Sequence, residues 1–295
     1  MMLDVPQPHV PSRRETVEVR GLRYAVRRWG RDNARPLLMV HGTRESSITF
    51  QFVVDHLRDD WQVIAPDWRG HGHSDRAQSY WFHDFVGDLA VLVERLFPAQ
   101  AVPLVGHSLG GNVAGIYAGL RPERISHLVS LDGFGPLVDH VPVDPVALLR
   151  RHIEAGERQG RAYPDIATMA ARLRQANPRL TQGQAMLLAE HSSAEGPDRQ
   201  RRWLYTGGFQ RSLPSLRTMA EWGRLWAGIT APALWVMSED TRPNAPVRFP
   251  AEIERRAALM PRLERRQIPG TSHNLHHDEP AVVAKLIEDF ISRPP

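Results

Sequence analysis

The stretch Ala101-Val102-Pro103-Leu104-Val105-Gly106-His107-Ser108-Leu109-Gly110-Gly111-Asn112-Val113-Ala114-Gly115-Ile116 passes from a short apolar run, through a serine set among glycines, into a second run of small and apolar residues. Its length and flanks predict a buried strand over 101–105, a sharp turn at Ser108 and a helix beyond it. Such a turn strains the serine backbone and brings strand and helix close together, so small residues are needed on both sides. Gly106, Gly110 and Gly111 supply them. A Gly-x-Ser-x-Gly pentapeptide alone also occurs in purely structural turns; the strand before it and the helix after it give it weight here.

The same rhythm extends in both directions. Val17 to Arg28 alternates apolar and polar residues around Gly21, which predicts an antiparallel pair. Pro36–Val40 and Trp61–Ala65 are continuous apolar runs of the kind buried on both faces, and Phe50, Val53, Val54 and Leu57 recur between them at helical spacing, giving a β-α-β unit. Phe85, Leu89, Leu92 and Leu96 mark an amphipathic helix, and Ile125–Leu131 another strand. After Pro136 the rhythm changes. Residues 137–228 hold no convincing strand, and Pro164, Pro178, Pro197 and Pro214 separate helical stretches; Leu216, Met219, Trp222 and Trp226 share one helical face, and Ala185, Leu188 and Ala189 another. Strand rhythm returns at Ala233–Met237, followed by a helix over Ile253–Met260, a strand over Leu263–Ile268 and a helix over Val282–Ile291. The expectation is an α/β fold. A mostly parallel β-sheet wrapped by helices, built from residues 1–136 and 229–295, is interrupted by an inserted helical cap over 137–228.

Composition narrows the function classes. A chain of 295 residues, 42% hydrophobic and 24% charged, is that of an ordinary globular protein, and no apolar stretch approaches the roughly 20 residues of a membrane span. Met1 to Arg14 is polar and bears prolines, without the apolar core of a secretory leader, so a cytoplasmic location is expected. Zero cysteines exclude disulfides, thiolate metal sites and a cysteine nucleophile, leaving serine as the natural candidate. The net charge is only +4, Lys285 is the sole lysine, and arginines sit in pairs such as Arg150-Arg151, Arg201-Arg202 and Arg265-Arg266 without extending into a basic run. Nucleic-acid binding is therefore not expected.

A serine hydroxyl needs a base to become a nucleophile, and that base should sit on a loop returning to the turn. His273, in Gly270-Thr271-Ser272-His273-Asn274-Leu275-His276-His277, lies just after the last strand, where loops carry sites. His276 and His277 are expected to cap or decorate the final helix.

Over roughly residues 16–292 the pattern resembles the α/β-hydrolase superfamily, with its chain order of Ser, acid, His. That resemblance implies Ser108 as nucleophile and His273 as base. The family usually places its acid after the strand that follows the cap, in a Gly-x-x-Asp pattern. Here that stretch reads Ser238-Glu239-Asp240-Thr241, so the usual position falls on Thr241 and the nearest carboxylate, Asp240, comes one residue early. Certain capped members, including some haloalkane dehalogenases, carry the acid at the end of the preceding strand, which corresponds to Asp132 in Leu131-Asp132-Gly133. Both stay open; Asp132 is preferred because a one-residue shift at a strand end turns a side chain to the opposite face. The resemblance also implies an oxyanion hole from the backbone amides of Leu109 and Thr43, the latter in His41-Gly42-Thr43, with His41 structural. Asp67 to Asp75 is similar to a family loop that holds the site's architecture, and His71 and His73 within it lack a defined third ligand, so no metal is expected.

A serine at the turn argues against the carboxylate-nucleophile chemistry of haloalkane dehalogenases and epoxide hydrolases in this fold. What remains is acyl transfer to water: hydrolysis of an ester, thioester or lactone without a cofactor. Three alternatives are hydrolysis of a carbon-carbon bond by the same residues, cofactor-free oxygen chemistry, and a non-enzymatic binding role. Trp203, Tyr205, Phe209, Trp222 and Trp226 suggest a small-molecule substrate with an apolar or aromatic portion, although packing between helices explains them equally well.

Overall fold

β1 (Ser12–Val19) and β2 (Leu22–Trp29) pair antiparallel across a tight turn in which Arg20 and Gly21 both take positive φ, 49° and 80°. In this computed structural model, residues 8–58, 60–135, 146, 150, 160–205, 218–239 and 250–295 are described. β3 (Arg35–Val40), β4 (Trp61–Pro66), β5 (Val102–His107), β6 (Ile125–Leu131), β9 (Ala233–Ser238) and β10 (Leu263–Ile268) complete an eight-stranded sheet in the order β1-β2-β4-β3-β5-β6-β9-β10. Every pairing from β4 to β10 is parallel. The apolar runs explain this. All six residues of β4 are buried, as are the last four of β3, which requires a layer on each face of the sheet.

Those layers are two separate cores. On one face, α2 (Phe82–Leu96) and α3 (Leu109–Leu120) bury Phe85, Leu89, Leu92, Val113 and Ile116 against Leu38, Leu104 and Leu128. On the other, α1 (Gln51–Val54) and the helix Pro280–Ile291 bury Val53, Val283, Ile287 and Phe290 against Met39, Val105 and Val129. At about 1.5–3 kcal/mol per fully buried apolar side chain, these layers dominate the folding free energy. The strand ends they fix are the platform on which the site is built.

Three local expectations change. The helix expected around residues 50–57 is a 3-10 turn, Ser47–Phe50, followed by the single α-turn α1, because His56 and Leu57 donate to the carbonyls three residues back and tighten the chain before it enters β4. Within 137–228, an antiparallel pair does exist: β7 (Ser193–Glu195) and β8 (Arg201–Trp203), three residues each, too short to leave a periodic pattern. Its companions Ile166–Ala176 and Gln182–His191 are capped by Asp165 and Thr181, and pack on Ile48 and Phe52. The helix Met219–Trp226, by contrast, lies with the sheet's own layer. Trp226 packs so closely on α3 that a Cβ at Gly115 would stand 3.1 Å from its indole nitrogen. Trp222 and Trp226 are thus core residues. Among the described residues no helix is long and apolar enough to cross a membrane.

Candidate active site

β5 ends at His107 and α3 begins at Leu109, so Ser108 is the hinge between them, with φ 51° and ψ −113°. That conformation costs on the order of 1–3 kcal/mol and persists only where the surroundings dictate it. Here the Ser108 N–H donates to the Leu131 carbonyl at 2.9 Å, and its own carbonyl accepts from Asn112 N–H at 3.0 Å. The glycines answer to space. A Cβ at Gly106 would lie 2.4 Å from the Gly110 carbonyl oxygen, and one at Gly110 only 2.1 Å from that of Val40.

His273 comes from the loop after β10. Thr271 Oγ1 donates to the Ile268 carbonyl at 2.6 Å, and the Ser272 N–H and hydroxyl both donate to Asp278 Oδ2 at 2.6 Å, which folds the loop back toward α3. The ring of His273 then spans two partners: Nε2 lies 2.9 Å from Ser108 Oγ, and Nδ1 lies 3.0 Å from Asp132 Oδ2. Asp132 also takes positive φ, 51°, which turns its side chain out of β6 toward the end of β9. There Ser238 donates its N–H to Oδ1 at 2.9 Å and its hydroxyl to Oδ2 at 2.6 Å. With the carboxylate accepting from Nδ1–H, the neutral ring presents its lone pair at Nε2 to the serine hydroxyl. Of the two candidate acids, Asp132 is thus beside His273, while Asp240, with Thr241, lies outside the described residues. Ser238 was not anticipated from sequence.

Leu109 opens α3, where the first-turn amides have no partner within the helix. Thr43 stands in the turn after Gly42, and a Cβ on Gly42 would be 3.1 Å from the Cβ of Ser108, so this backbone passes directly against the serine. Glu45 takes up the Gly42 amide at 2.7 Å.

The other histidines are structural in their contacts. His41 is buried, with Nδ1 donating to the Gly42 carbonyl at 2.7 Å and Nε2 accepting from Trp68 N–H at 3.0 Å. Burial lowers its pKa and lowers that of His71 to about 4, so both are neutral at pH 7. Asp67 receives the amides of Ser47 and His73 at 2.6 and 2.8 Å, and Arg69 reaches both oxygens of Asp88 at 2.6 Å, fixing the 67–75 loop beneath the site. His276 and His277 do not decorate a helix surface. They are buried, and both Nε2 atoms contact the Thr49 hydroxyl, at 2.9 and 2.7 Å. Glu45, His276 and His277 bring potential ligand atoms within 4.8 Å of one another, with the Thr49 hydroxyl in contact with both Nε2 atoms. Trp203 and Tyr205 stack with centroids 6.4 Å apart and line a cleft of about 220 Å³ with Gly70, Gly72 and Arg76; Phe209 lies outside the described residues.

Residues 35–280 match the family described as alpha/beta hydrolase fold. The 2-(acetamidomethylene)succinate hydrolase of Mesorhizobium japonicum is 28% identical over 300 aligned positions, covering 99% of each chain. The serine hydrolase-like protein of Danio rerio is 35% identical over 178 positions, which are 57% of this chain and only 54% of that longer protein. Among solved structures, the thioesterase domain from a curacin biosynthetic pathway superposes with a TM-score of 0.82 at 26% identity, covering 95% of this chain and 99% of that one.

Proposed function

Because this chain belongs to the α/β-hydrolase fold family, we propose that it is a serine hydrolase that cleaves a carboxylic ester, thioester or lactone through an acyl-enzyme. The observation that carries this reading is the single imidazole of His273 placed between Ser108 Oγ at 2.9 Å and Asp132 Oδ2 at 3.0 Å. Ser108 Oγ attacks the carbonyl carbon while His273 Nε2 takes its proton, and Asp132 stabilises the imidazolium that results. The tetrahedral oxyanion is received by the amides of Leu109 and Thr43. Collapse expels the alcohol or thiol, which leaves with the proton from His273, and Ser108 is acylated. Water then attacks the acyl-enzyme with His273 again as base, releasing the acid and restoring the serine. These steps need no cofactor.

Within the insertion expected over 137–228, the described residues 160–205 support a covering role, while Met219–Trp226 packs in the sheet's own layer. Asn177 Nδ2 donates to Asp278 at 2.7 Å, Gln184 reaches the His277 carbonyl at 3.3 Å, and Leu204 receives the Gly72 amide at 2.6 Å, so residues 160–205 rest on the loops that frame the serine. The cleft beside Trp203 and Tyr205 is lined by none of Ser108, His273 and Asp132, so the small-molecule substrate with an apolar or aromatic portion rests on the aromatic residues of the insertion and not on that cleft. One relative aligned over its whole length acts, by its name, on 2-(acetamidomethylene)succinate, so that compound belongs in the substrate panel beside nitrophenyl esters of increasing chain length.

The test is labelling by a fluorophosphonate. The wild-type protein should be labelled at Ser108 and hydrolyse the esters, and a folded Ser108→Ala variant should do neither. Retained turnover in that variant would end the serine-hydrolase reading.

A further inference from the structure

Glu45 and His107 take no part in the proton relay, yet they are packed beside it. Oε2 of Glu45 lies 2.7 Å from the Gly42 amide nitrogen and 2.9 Å from His107 Nδ1. On the other side of the ring, His107 Nε2 lies 2.9 Å from the main-chain oxygen of His273. A carbonyl oxygen only accepts, so Nε2 carries a hydrogen; the carboxylate oxygen, already accepting from Gly42, calls for a hydrogen on Nδ1 as well. An imidazole with both hydrogens is a cation. Side-chain exposure is 2% for His107 and 13% for Glu45, so little water competes for these contacts.

The electrostatics agree with the donor count. Burial opposes a charge on His107, but the Glu45 carboxylate outweighs it and raises the pKa; burial likewise opposes ionisation of Glu45, and His107, with smaller help from His276 and His277, holds it well below the usual carboxylate range. The other titratable groups facing this pair are His41, Asp132 and His273. Glycine is also required at 42, where a Cβ would stand 2.8 Å from His107 Nδ1 and 3.0 Å from Glu45 Oε2.

We infer that Glu45 and His107 form a buried ion-pair clamp that positions the catalytic machinery, holding the main chain of His273 and the Gly42-Thr43 loop against the turn that carries Ser108. This rests on the serine-hydrolase reading. Asp132 fixes the tilt of the His273 ring through Nδ1, but it does not fix where the His273 backbone stands. His107 does, because it is covalently next to Ser108 and grips the carbonyl of His273. Glu45 extends the same grip to the loop offering the second oxyanion donor. Both are positioning residues: they touch no substrate, and they act through Ser108, His273 and Thr43. A displacement of about 1 Å at such a site can cost about 10²-fold in turnover.

Glu45→Gln preserves shape and removes the charge, so His107 must either remain a buried cation without its counter-ion or lose one of its two donors. The expected result is a kcat about 10²-fold lower with KM nearly unchanged, and fluorophosphonate labelling of Ser108 slowed by a similar factor. The second measurement uses the wild-type protein. In a ¹⁵N-histidine spectrum at pH 7.5, the signals lost in His107→Gln should read as a doubly protonated ring, and in Glu45→Gln they should read as neutral. A folded Glu45→Gln with wild-type kcat and labelling overturns the clamp, as does a neutral His107 in the wild type; if Glu45→Gln does not fold, the wild-type spectrum decides. A wild type that is never labelled overturns the hydrolase reading first and the clamp's role in catalysis with it.

Discussion

Asp132 Oδ2 is shared by two hydrogens, one from the Ser238 hydroxyl at 2.6 Å and one from His273 Nδ1 at 3.0 Å, while Oδ1 takes the Ser238 amide at 2.9 Å. Every donor around this carboxylate points inward, so an amide in its place has one end facing hydrogens it cannot accept. In Asp132→Asn the amide nitrogen is best placed toward His273 Nδ1, which forces the ring into the tautomer whose hydrogen faces Ser108. Turnover should fall by about 10⁴-fold with the fold retained. Asp240→Asn should change it little, since Nδ1 already has its acceptor; the reverse ranking of the two variants in steady-state kinetics would transfer the role to Asp240. Ser238→Ala removes one of three donors and should cost about tenfold, in line with a net hydrogen bond of about 0.5–1.5 kcal/mol. The sequence carried both acid candidates, but choosing between them depends on a positive φ at Asp132 that no pattern of residue types reports. Ser238 was hidden for a related reason: it is the last residue of a buried strand, and only the parallel pairing of β6 with β9 brings it within reach of the Asp132 side chain.

At the scale of elements, the strand-turn-helix at Ser108 is the piece that tolerates least change. A methyl group on Gly110 would meet the Val40 carbonyl at 2.1 Å and that of His41 at 2.8 Å. These are backbone atoms at the end of β3 and just beyond it, so no rotamer relieves the contact and α3 itself must move. Gly110→Ala should lower the unfolding free energy by about 1–3 kcal/mol and reduce activity by more than that loss implies, because α3 carries the Leu109 amide. An unchanged urea midpoint together with unchanged kcat would show that the helix does not approach as closely as described. This element was legible because its demands are local: glycines at fixed offsets and two apolar runs. β10 was equally plain, its bounds Leu263–Ile268 agreeing with the expected strand. The hairpin β7–β8 was not, since three-residue strands have no period to read, and Met219–Trp226 looked like a covering helix because an amphipathic face does not say which layer it will meet.

The whole molecule stores a pH dependence in its buried histidines. His276 and His277 read as surface decoration in the sequence, where nothing distinguishes them from exposed neighbours; in the fold they join His41 and His71 as buried neutral rings. Burial lowers the pKa of His71 and His277 to about 4, and depresses His41 and His276 as well. In the unfolded chain each returns to about 6.5, so between pH 6.5 and 4 the unfolded state binds more protons and stability must fall as the solution is acidified. A shift from about 6.5 to about 4 corresponds to about 3 kcal/mol per ring once the pH is below both values. Glu45 works in the same direction, because its depressed pKa gives a contribution that is present above its ordinary value and lost as pH falls through the lowered one. His107 works oppositely: its pKa is raised, so its contribution is complete below the unfolded value and is lost as pH climbs through the folded one. Stability should therefore peak near neutrality and fall more steeply on the acid side. Urea midpoints measured from pH 8 to pH 4.5 should drop progressively below about pH 6.5, and His277→Gln should flatten part of that slope by removing one titrating ring. A midpoint that stays level from pH 7 to pH 5 in the wild type would mean that these rings are not held neutral in the folded protein.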